Sequence, residues 1–401
     1  MSPTQRHGPL RGLRVIEFGG IGPGPLCGML LADLGAEVLL IERAGPQEIG
    51  IARQRRHELA HRGKASLVLD LKQVAQRDLA LELAARADVL IEGFRPGTME
   101  RLGLGPQACM AGNAGLIYGR VTGYGQDGPL AARAGHDLNY IALSGVLHAI
   151  GRAGQPPTPP LNLVGDYAGG SMLLALGILA AIVERARSGQ GQVVDAAMVE
   201  GAALLMAPWF GMLAAGLVNG ARGENLLDSG APFYDVYRCQ DGQYLAFAAV
   251  EPKFRAVFAQ RTGFDQAALL DADRSRWPAL REALAALFAQ RTRDAWCALL
   301  QDCDACVTPV LPPASAAAHP HNAARQVYVQ AGGIAQPGPA PRFSRTPADA
   351  PGLPPEPGQG GDSLTAAWGI TENRLLEAGV TGTRAHHRGM HAACRGRHPA
   401  L

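Results

Sequence analysis

Histidine, aspartate and glutamate are the side chains that most often move protons near neutral pH. Three of them stand in this chain where a polar residue needs an account. His136 lies in "RAGHDLNYIALSG", an apolar, glycine-bounded segment. Asp166 lies in "PPLNLVGDYAGGSMLLALG", at the mouth of the most apolar helical pattern, and Glu251 ends the apolar strand pattern "YLAFAAVE" just before Pro252. Each has a structural account when taken singly. His136 suits a satisfied core histidine, Asp166 an N-cap accepting a backbone N–H, and Glu251 a cap for the helix after Pro252. Taken together they are three acid/base groups, and their use depends on the elements that carry them.

The first such element is "LRVIEFGGIGPGPLCGMLLADLGAEVLLIER", residues 13–43. Its order of strand, glycine-rich turn, helix and strand is that of a dinucleotide-binding βαβ unit. The G-x-G-x-x-G spacing fails, however, because Pro25 or Cys27 occupies the sixth position. Pro25 marks a helix start. What remains is a tight turn whose backbone N–H groups at a helix N-terminus can face an anion. Arg43 beside the strand-end acid Glu42 suits a phosphate better than an unmodified ribose.

Beyond this unit, apolar runs at 66–71, 87–94 and 115–125 alternate with helical patterns such as 74–87. Buried runs separated by helices predict an α/β fold with a parallel, doubly wound sheet. "GRAGQPPTPPLN" (151–162) reads as an irregular connection, and a long helix over 167–187 follows it. A strand and a helix are expected within 191–206. From about 220 the texture changes. Residues 231–251 form a hairpin pattern around Gln-Asp-Gly, followed by helices near 252–262, 278–290 and 293–302 and a strand near 306–311. This is a small α+β domain. "PGLPPEPGQGG" (351–361) is linker-like, and the basic end from 384 lacks an apolar pattern and is expected to be disordered.

Composition narrows the function classes. The chain has 401 residues, 47% hydrophobic and 18% charged, with a net charge of +2. That balance gives no general reason to expect nucleic acid. No run reads as a membrane span, and 171–189, cut short by Glu184, Arg185 and Arg187, reads as a buried core helix. No signal peptide is visible at the start. Seven scattered cysteines point to a reducing, cytoplasmic compartment, and "CDAC" (303–306) lacks the partners of a metal site, so its thiols read as structural. The basic run "RQRRHELAHRGK" (53–64) reads equally as a solvated face and as a site for a phosphate-rich ligand.

The ordered series "GIGPGPLCGMLLADLGAEV", "HRGKASLVLDLK", "DVLIEGFRPGTMERLGLG", "LIYGRVTGYGQDGP", "AGHDLNYIALSG", "PPLNLVGDYAGGSM", "GQGQVVDAAMVEG" and "NLLDSGAPFYDVYRCQDGQYLA" resembles the family III CoA-transferases (CaiB/BaiF), over roughly residues 9–345. Within that family it is similar to the α-methylacyl-CoA racemase branch. The resemblance implies a Rossmann-like large domain (1–215), a small domain (216–316) and a return segment (317–348), with linker and tail from 349 to 401. It implies an interlocked homodimer whose active site lies between the large domain of one subunit and the small domain of the other. The substrate would be an acyl-CoA thioester, with no metal, no NAD and no cofactor beyond the CoA moiety; nucleic acid and membrane are not expected partners.

The same resemblance assigns the residues. His136 and Asp166 would be the catalytic bases, with Glu251 orienting His136 and Asn162 bonded to Asp166. CoA would lie along Ile21, Gly22, Pro23, Arg43, Arg62, Leu71, Lys72, Gly93, Arg95 and Gly165. One departure is Ala168, where relatives carry a third glycine. The implied reaction interconverts (2R)- and (2S)-2-methylacyl-CoA by removing the α-proton on one face and returning a proton on the other. Backbone N–H groups near Gly165 and Asp166 are expected to hold the enolate oxygen. Met198, Met206 and Met212 could line the acyl surface, or be plain core. The alternative is a family III CoA-transferase, with Asp166 as nucleophile and CoA passed between carboxylic acids. A non-catalytic acyl-CoA binder and a nicotinamide oxidoreductase are the remaining classes.

Overall fold

A computed structural model describes residues 6–45 and 50–380 of the chain; the basic end from 384 lies outside the described residues. The chain forms two compact units, one of Met1–Tyr140, Asn162–Leu204 and His321–Leu401, the other of Ile141–Leu161 and Leu205–Pro320.

The first unit is built on a six-stranded, wholly parallel sheet. Its strands are β1 (Arg14–Phe18), β2 (Glu37–Glu42), β3 (Ala65–Val68), β4 (Val89–Glu92), β5 (Ile117–Thr122) and β6 (Val193–Ala197), in the order β3-β2-β1-β4-β5-β6. The apolar runs follow from coverage of both faces. Along β1, β2, β4 and β5, Val15, Val38, Val89 and Ile117 point into one core and Ile16, Leu39, Leu90 and Tyr118 into the other. Helix α1 (Pro23–Asp33) covers the first face through Cys27 and Leu31. Helix α2 (Val74–Ala84) covers the second through Leu79, Ala80, Leu83 and Ala84, the i, i+4 pairs of a buried stripe. The chain reverses direction of travel between β1 and β4. That topological switch point is where open α/β sheets receive ligands, outside the carboxyl ends of the strands.

After β5 come α3 (Asp137–Leu143) and one continuous helical run. The run is π-helical over Leu163–Met172 and α-helical over α4 (Leu173–Ser188). It begins earlier than the expected helix and, among the described residues, is long and apolar enough to cross a membrane by length and composition. It is also not the fully buried core helix that its composition predicts. Leu174, Ile178 and Ala181 pack on the sheet, while Met172, Leu176 and Val183 are exposed. Helix α5 (Met198–Leu205) follows β6.

The second unit holds α6 (Ala207–Ala214), an antiparallel sheet of β7 (Tyr234–Arg238), β8 (Tyr244–Ala248) and β9 (Val307–Pro309), and helices α7 (Pro252–Thr262), α8 (Trp277–Phe288) and α9 (Arg293–Leu300). Phe247, Phe258, Phe288 and Trp296 meet in its core, with ring centroids 4.4 to 6.1 Å apart. Residues 141–161, expected to belong to the large domain, belong here instead. Distant contacts hold the segment there: Arg152 makes a bidentate bridge to Asp235 of β7, at 2.6 and 3.0 Å, and Arg222 donates to the carbonyls of His148 and Gln155.

The chain then returns to the first unit through the hairpin β10 (Tyr328–Ala331) and β11 (Ile334–Pro337). The expectation of a linker and poorly ordered tail from 349 is corrected over the described part. Helices α10 (Gly361–Ala367) and α11 (Glu372–Glu377), with Trp368 at the end of α10, bury Leu364, Trp368 and Leu375 in the core that β2, β3 and α2 share, α10 lying on β2 and β3. Trp368 Nε1 donates to Glu37 Oε2 at 2.7 Å, and Arg374 pairs with Glu82.

Candidate active site

The loop after β1 leads into α1 at Pro23, two residues before the expected start. Its last residue, Gly22, has φ 70° and ψ −118°, a conformation that a side chain rarely adopts. A Cβ there would stand 3.3 Å from Asp166 Oδ2, so the glycine also lets the backbone approach that carboxylate. Ser171 Oγ donates to the Pro23 carbonyl at 2.8 Å and ties the π-helical segment to the start of α1. Gly169 and Gly201 bring the segment into backbone contact with α5, since a Cβ on Gly201 would lie 2.0 Å from the Gly169 carbonyl oxygen. Small residues on both sides therefore seat a wide, uncommon helix, a form concentrated at functional sites.

Asp166 is the fourth residue of this π-helical segment and is half-buried, so it is no N-cap. Its Oδ2 accepts from Asn162 Nδ2 at 3.1 Å. Burial pushes the Asp166 carboxyl above the usual aspartate range. The Asn162 hydrogen bond pulls it down, the negative charge of Asp137 pushes it up, and His136 pulls it down. A carboxylate moved toward neutrality is a more effective proton acceptor.

His136 is exposed, not a core histidine. Its backbone is fixed on both sides: its N–H donates to Asn139 Oδ1 at 3.0 Å and its carbonyl accepts from Asn139 N at 2.8 Å. The next residue, Asp137, is buried and accepts the N–H groups of both Gly165 and Asp166 on Oδ2, each at 2.7 Å. This corrects the expected enolate site. Those two N–H groups are occupied by a carboxylate inside the protein and are not free donors. Asp137 was missed by sequence reasoning, although an acid opening a helix directly after a candidate base was a usable signal. Tyr140, also buried, donates to the Gly135 carbonyl. Burial and the charges of Asp166, Tyr124 and Asp137 push its phenol up to about 12, against the pull of Arg95, so it stays protonated.

The structure therefore gathers Gly22, Pro23, His136, Asn162, Gly165 and Asp166, with Arg95 acting on Tyr140 beside them. Other expected residues follow the carboxyl ends of strands: Ile21 after β1, Arg43 after β2, Leu71 and Lys72 after β3, and Gly93 and Arg95 after β4. Arg43, Lys72 and Arg95 are exposed. Glu251 stands in the second unit at the N-cap of α7, exposed, and its side chain makes no capping hydrogen bond.

Arg62 is a correction. Its guanidinium is buried and bound to Asp33 at 2.6 Å, Gln336 at 2.8 Å and the Pro337 carbonyl at 2.7 Å, so it has no face to offer a phosphate. Lys64 of the same basic run is fully buried against Glu17 at 2.6 Å, and Arg55 is bound to Glu42 and Glu58. For these three neither half of the 53–64 reading holds, because their charges are spent on acids inside the protein and meet neither solvent nor a phosphate. Glu42, the acid that a dinucleotide fold would turn to a ribose, is buried between Arg55 and Ser66. Met198 is core, packed where a Cβ on Gly170 would fall. Among the described residues no three His, Cys, Asp or Glu gather as a metal site.

The model of "CoA-transferase family III" matches residues 10–362. The chain belongs to this family. It is 43% identical over 372 residues to the α-methylacyl-CoA racemase of Mus musculus, covering 92% of this chain and 95% of that one. It is 43% identical over 343 residues to the α-methylacyl-CoA racemase of Homo sapiens, covering 84% and 87%. Among solved structures, a CaiB/BaiF family protein from Brucella suis superposes with a TM-score of 0.75 at 27% identity, covering 90% of this chain and all of the other. In this family member the loop at the carboxyl end of β1 ends in Gly22, where a Cβ would stand 3.3 Å from Asp166 Oδ2.

Proposed function

We propose that this chain is an α-methylacyl-CoA racemase, interconverting (2R)- and (2S)-2-methylacyl-CoA thioesters. The observation that carries the reading is the pairing in one site of two chemically different bases. An exposed His136 lies within electrostatic reach of Asp166, whose own carboxyl is raised by burial. Relatives that are 43% identical and named as racemases support it.

The thioester carbonyl acidifies the α-proton. One base takes it, the electron pair moves onto the carbonyl oxygen as an enolate, and the conjugate acid of the other base returns a proton to the opposite face. No electron leaves the substrate, so the step calls for no nicotinamide. His136 and Asp166 serve the two faces and exchange roles with direction. Glu251 orients His136 from the small domain of a second subunit. CoA is held by the exposed cations Arg43, Lys72 and Arg95 and by the loops at Ile21–Pro23, Leu71 and Gly93. Arg62 and the Gly165 N–H drop out of that set.

Association into a homodimer is supported by apolar surface left open in each unit, Met172, Leu176 and Val183 in one and Phe210 and Leu213 in the other; the sharing of the active site rests on the family resemblance. The described cysteines are all free thiols, in keeping with a reducing cytoplasm.

One epimer of a 2-methylacyl-CoA, incubated in heavy water with no acceptor acid, is expected to lose optical purity and gain deuterium at the α-carbon. His136→Ala and Asp166→Ala are expected to abolish racemisation while keeping CoA binding. Absence of exchange, with CoA moving only when a free carboxylic acid is added, would instead establish the transferase.

A further inference from the structure

We propose that Asp137 is a positioning residue for this reaction, a buried carboxylate that sets the spacing of the two bases by holding the backbone of Asp166 against the residue beside His136. The inference rests on the racemase reading for its catalytic consequence and on geometry alone for the clamp. Asp137 is 4% exposed and opens α3. Its Oδ2 accepts from Gly165 N and Asp166 N, both at 2.7 Å, the length of charge-assisted hydrogen bonds.

A single oxygen atom thus joins the main chain of one base to the peptide that carries the other, across 29 residues of sequence. The other carboxylate oxygen, Oδ1, is buried and has no hydrogen-bond partner among the described residues. A buried anionic oxygen left so is unfavourable, and an apolar residue would serve ordinary packing better. The carboxylate is explained by the two bonds that it does make. The groups facing the Asp166 carboxylate are Asn162, His136, Asp137 and the Tyr140 phenol.

Geometry and charge can be separated by substitution. Asp137→Ala removes both. It is expected to lower kcat for α-proton exchange about 100-fold, the effect of a displacement on the order of 1 Å in a catalytic group, while KM stays near wild type. Asp137→Asn keeps an acceptor oxygen and loses the charge. It is expected to restore most of kcat and to move the acid limb of the pH profile to lower pH, because a like charge beside Asp166 has gone.

Amide hydrogen exchange of Gly165 and Asp166 gives a readout apart from activity. Asp137→Ala is expected to accelerate it at these two residues, and Asp137→Asn far less. Wild-type protection and wild-type kcat in Asp137→Ala would overturn the proposal. So would equal loss of kcat in both variants with an unmoved pH profile. If Asp137→Ala does not fold, the Asn variant decides through its pH profile and amide protection. A wild-type enzyme without α-exchange, in which Asp137→Ala still exposes the two amides, would overturn the racemase reading and leave the clamp.

Discussion

Asp166 carries opposing influences, and their balance sets its chemistry. Burial raises its pKa, and the amide of Asn162 stabilises the ionised form. Removing that donor in Asn162→Ala is therefore expected to raise the pKa further. In the direction where Asp166 takes the proton, activity requires the carboxylate and falls as pH drops through the elevated pKa. The acid limb of kcat/KM should shift to higher pH in the variant, and a limb that stays in place would show that Asn162 does not act on the ionised form. Asp166 stood out in the sequence as a polar residue at the mouth of an apolar run, whereas Asn162 was assigned to it by the family resemblance. Asp137 shows the limit. Its importance comes from two N–H groups that only the fold brings to it.

At the level of elements, the strands and helices under the site are held by a buried ion pair. Glu17 of β1 and Lys64, just before β3, are both fully buried with 2.6 Å between them, and Lys64 Nζ also donates to the Pro25 carbonyl of α1. Gly28 of α1 makes room, since a Cβ there would meet Glu17 Oε2 at 1.8 Å. Breaking such a pair leaves a buried charge without compensation, so Lys64→Met should cost about 3–5 kcal/mol in urea unfolding. Adding Glu17→Gln should recover part of that loss; a double variant no more stable than Lys64→Met would place the cost in packing. In sequence Lys64 belonged to a basic run that read as a solvated face or as a phosphate site. Charge type is legible in a sequence, but whether the charge meets solvent or a buried acid is not.

Across the whole molecule, the unusual feature is how much apolar helix surface stays open. Helix α6 has no buried residue, and its Phe210 is 54% exposed and Leu213 41%. Under the proposed homodimer this surface is covered by the second subunit. Phe210→Asp with Leu213→Asp is expected to shift sedimentation equilibrium toward monomer. If the active site is shared between subunits, α-proton exchange should fall in parallel. A dimer of unchanged affinity would remove α6 from the interface.

Sequence by itself determined the doubly wound sheet, because strands buried on both faces must be apolar throughout and the helices between them must be striped. It also singled out His136, Asp166 and Glu251 as candidate proton-transfer groups, since those side chains stand out in apolar sequence surroundings. Tertiary structure decided the rest. Residues 141–161 joined the second unit through distant contacts such as that of Arg152 with Asp235, 83 positions apart, a pairing that no local pattern records. The short helices from Gly361 to Glu377 were hidden by neighbouring glycine and proline, and their apolar residues find meaning only in the core they share with β2, β3 and α2. Arg62 became structural once Asp33 and Gln336 closed around it. The N–H groups of Gly165 and Asp166, suited by position to an enolate, were taken by Asp137, because hydrogen-bond partners are assigned by proximity in space and not along the chain.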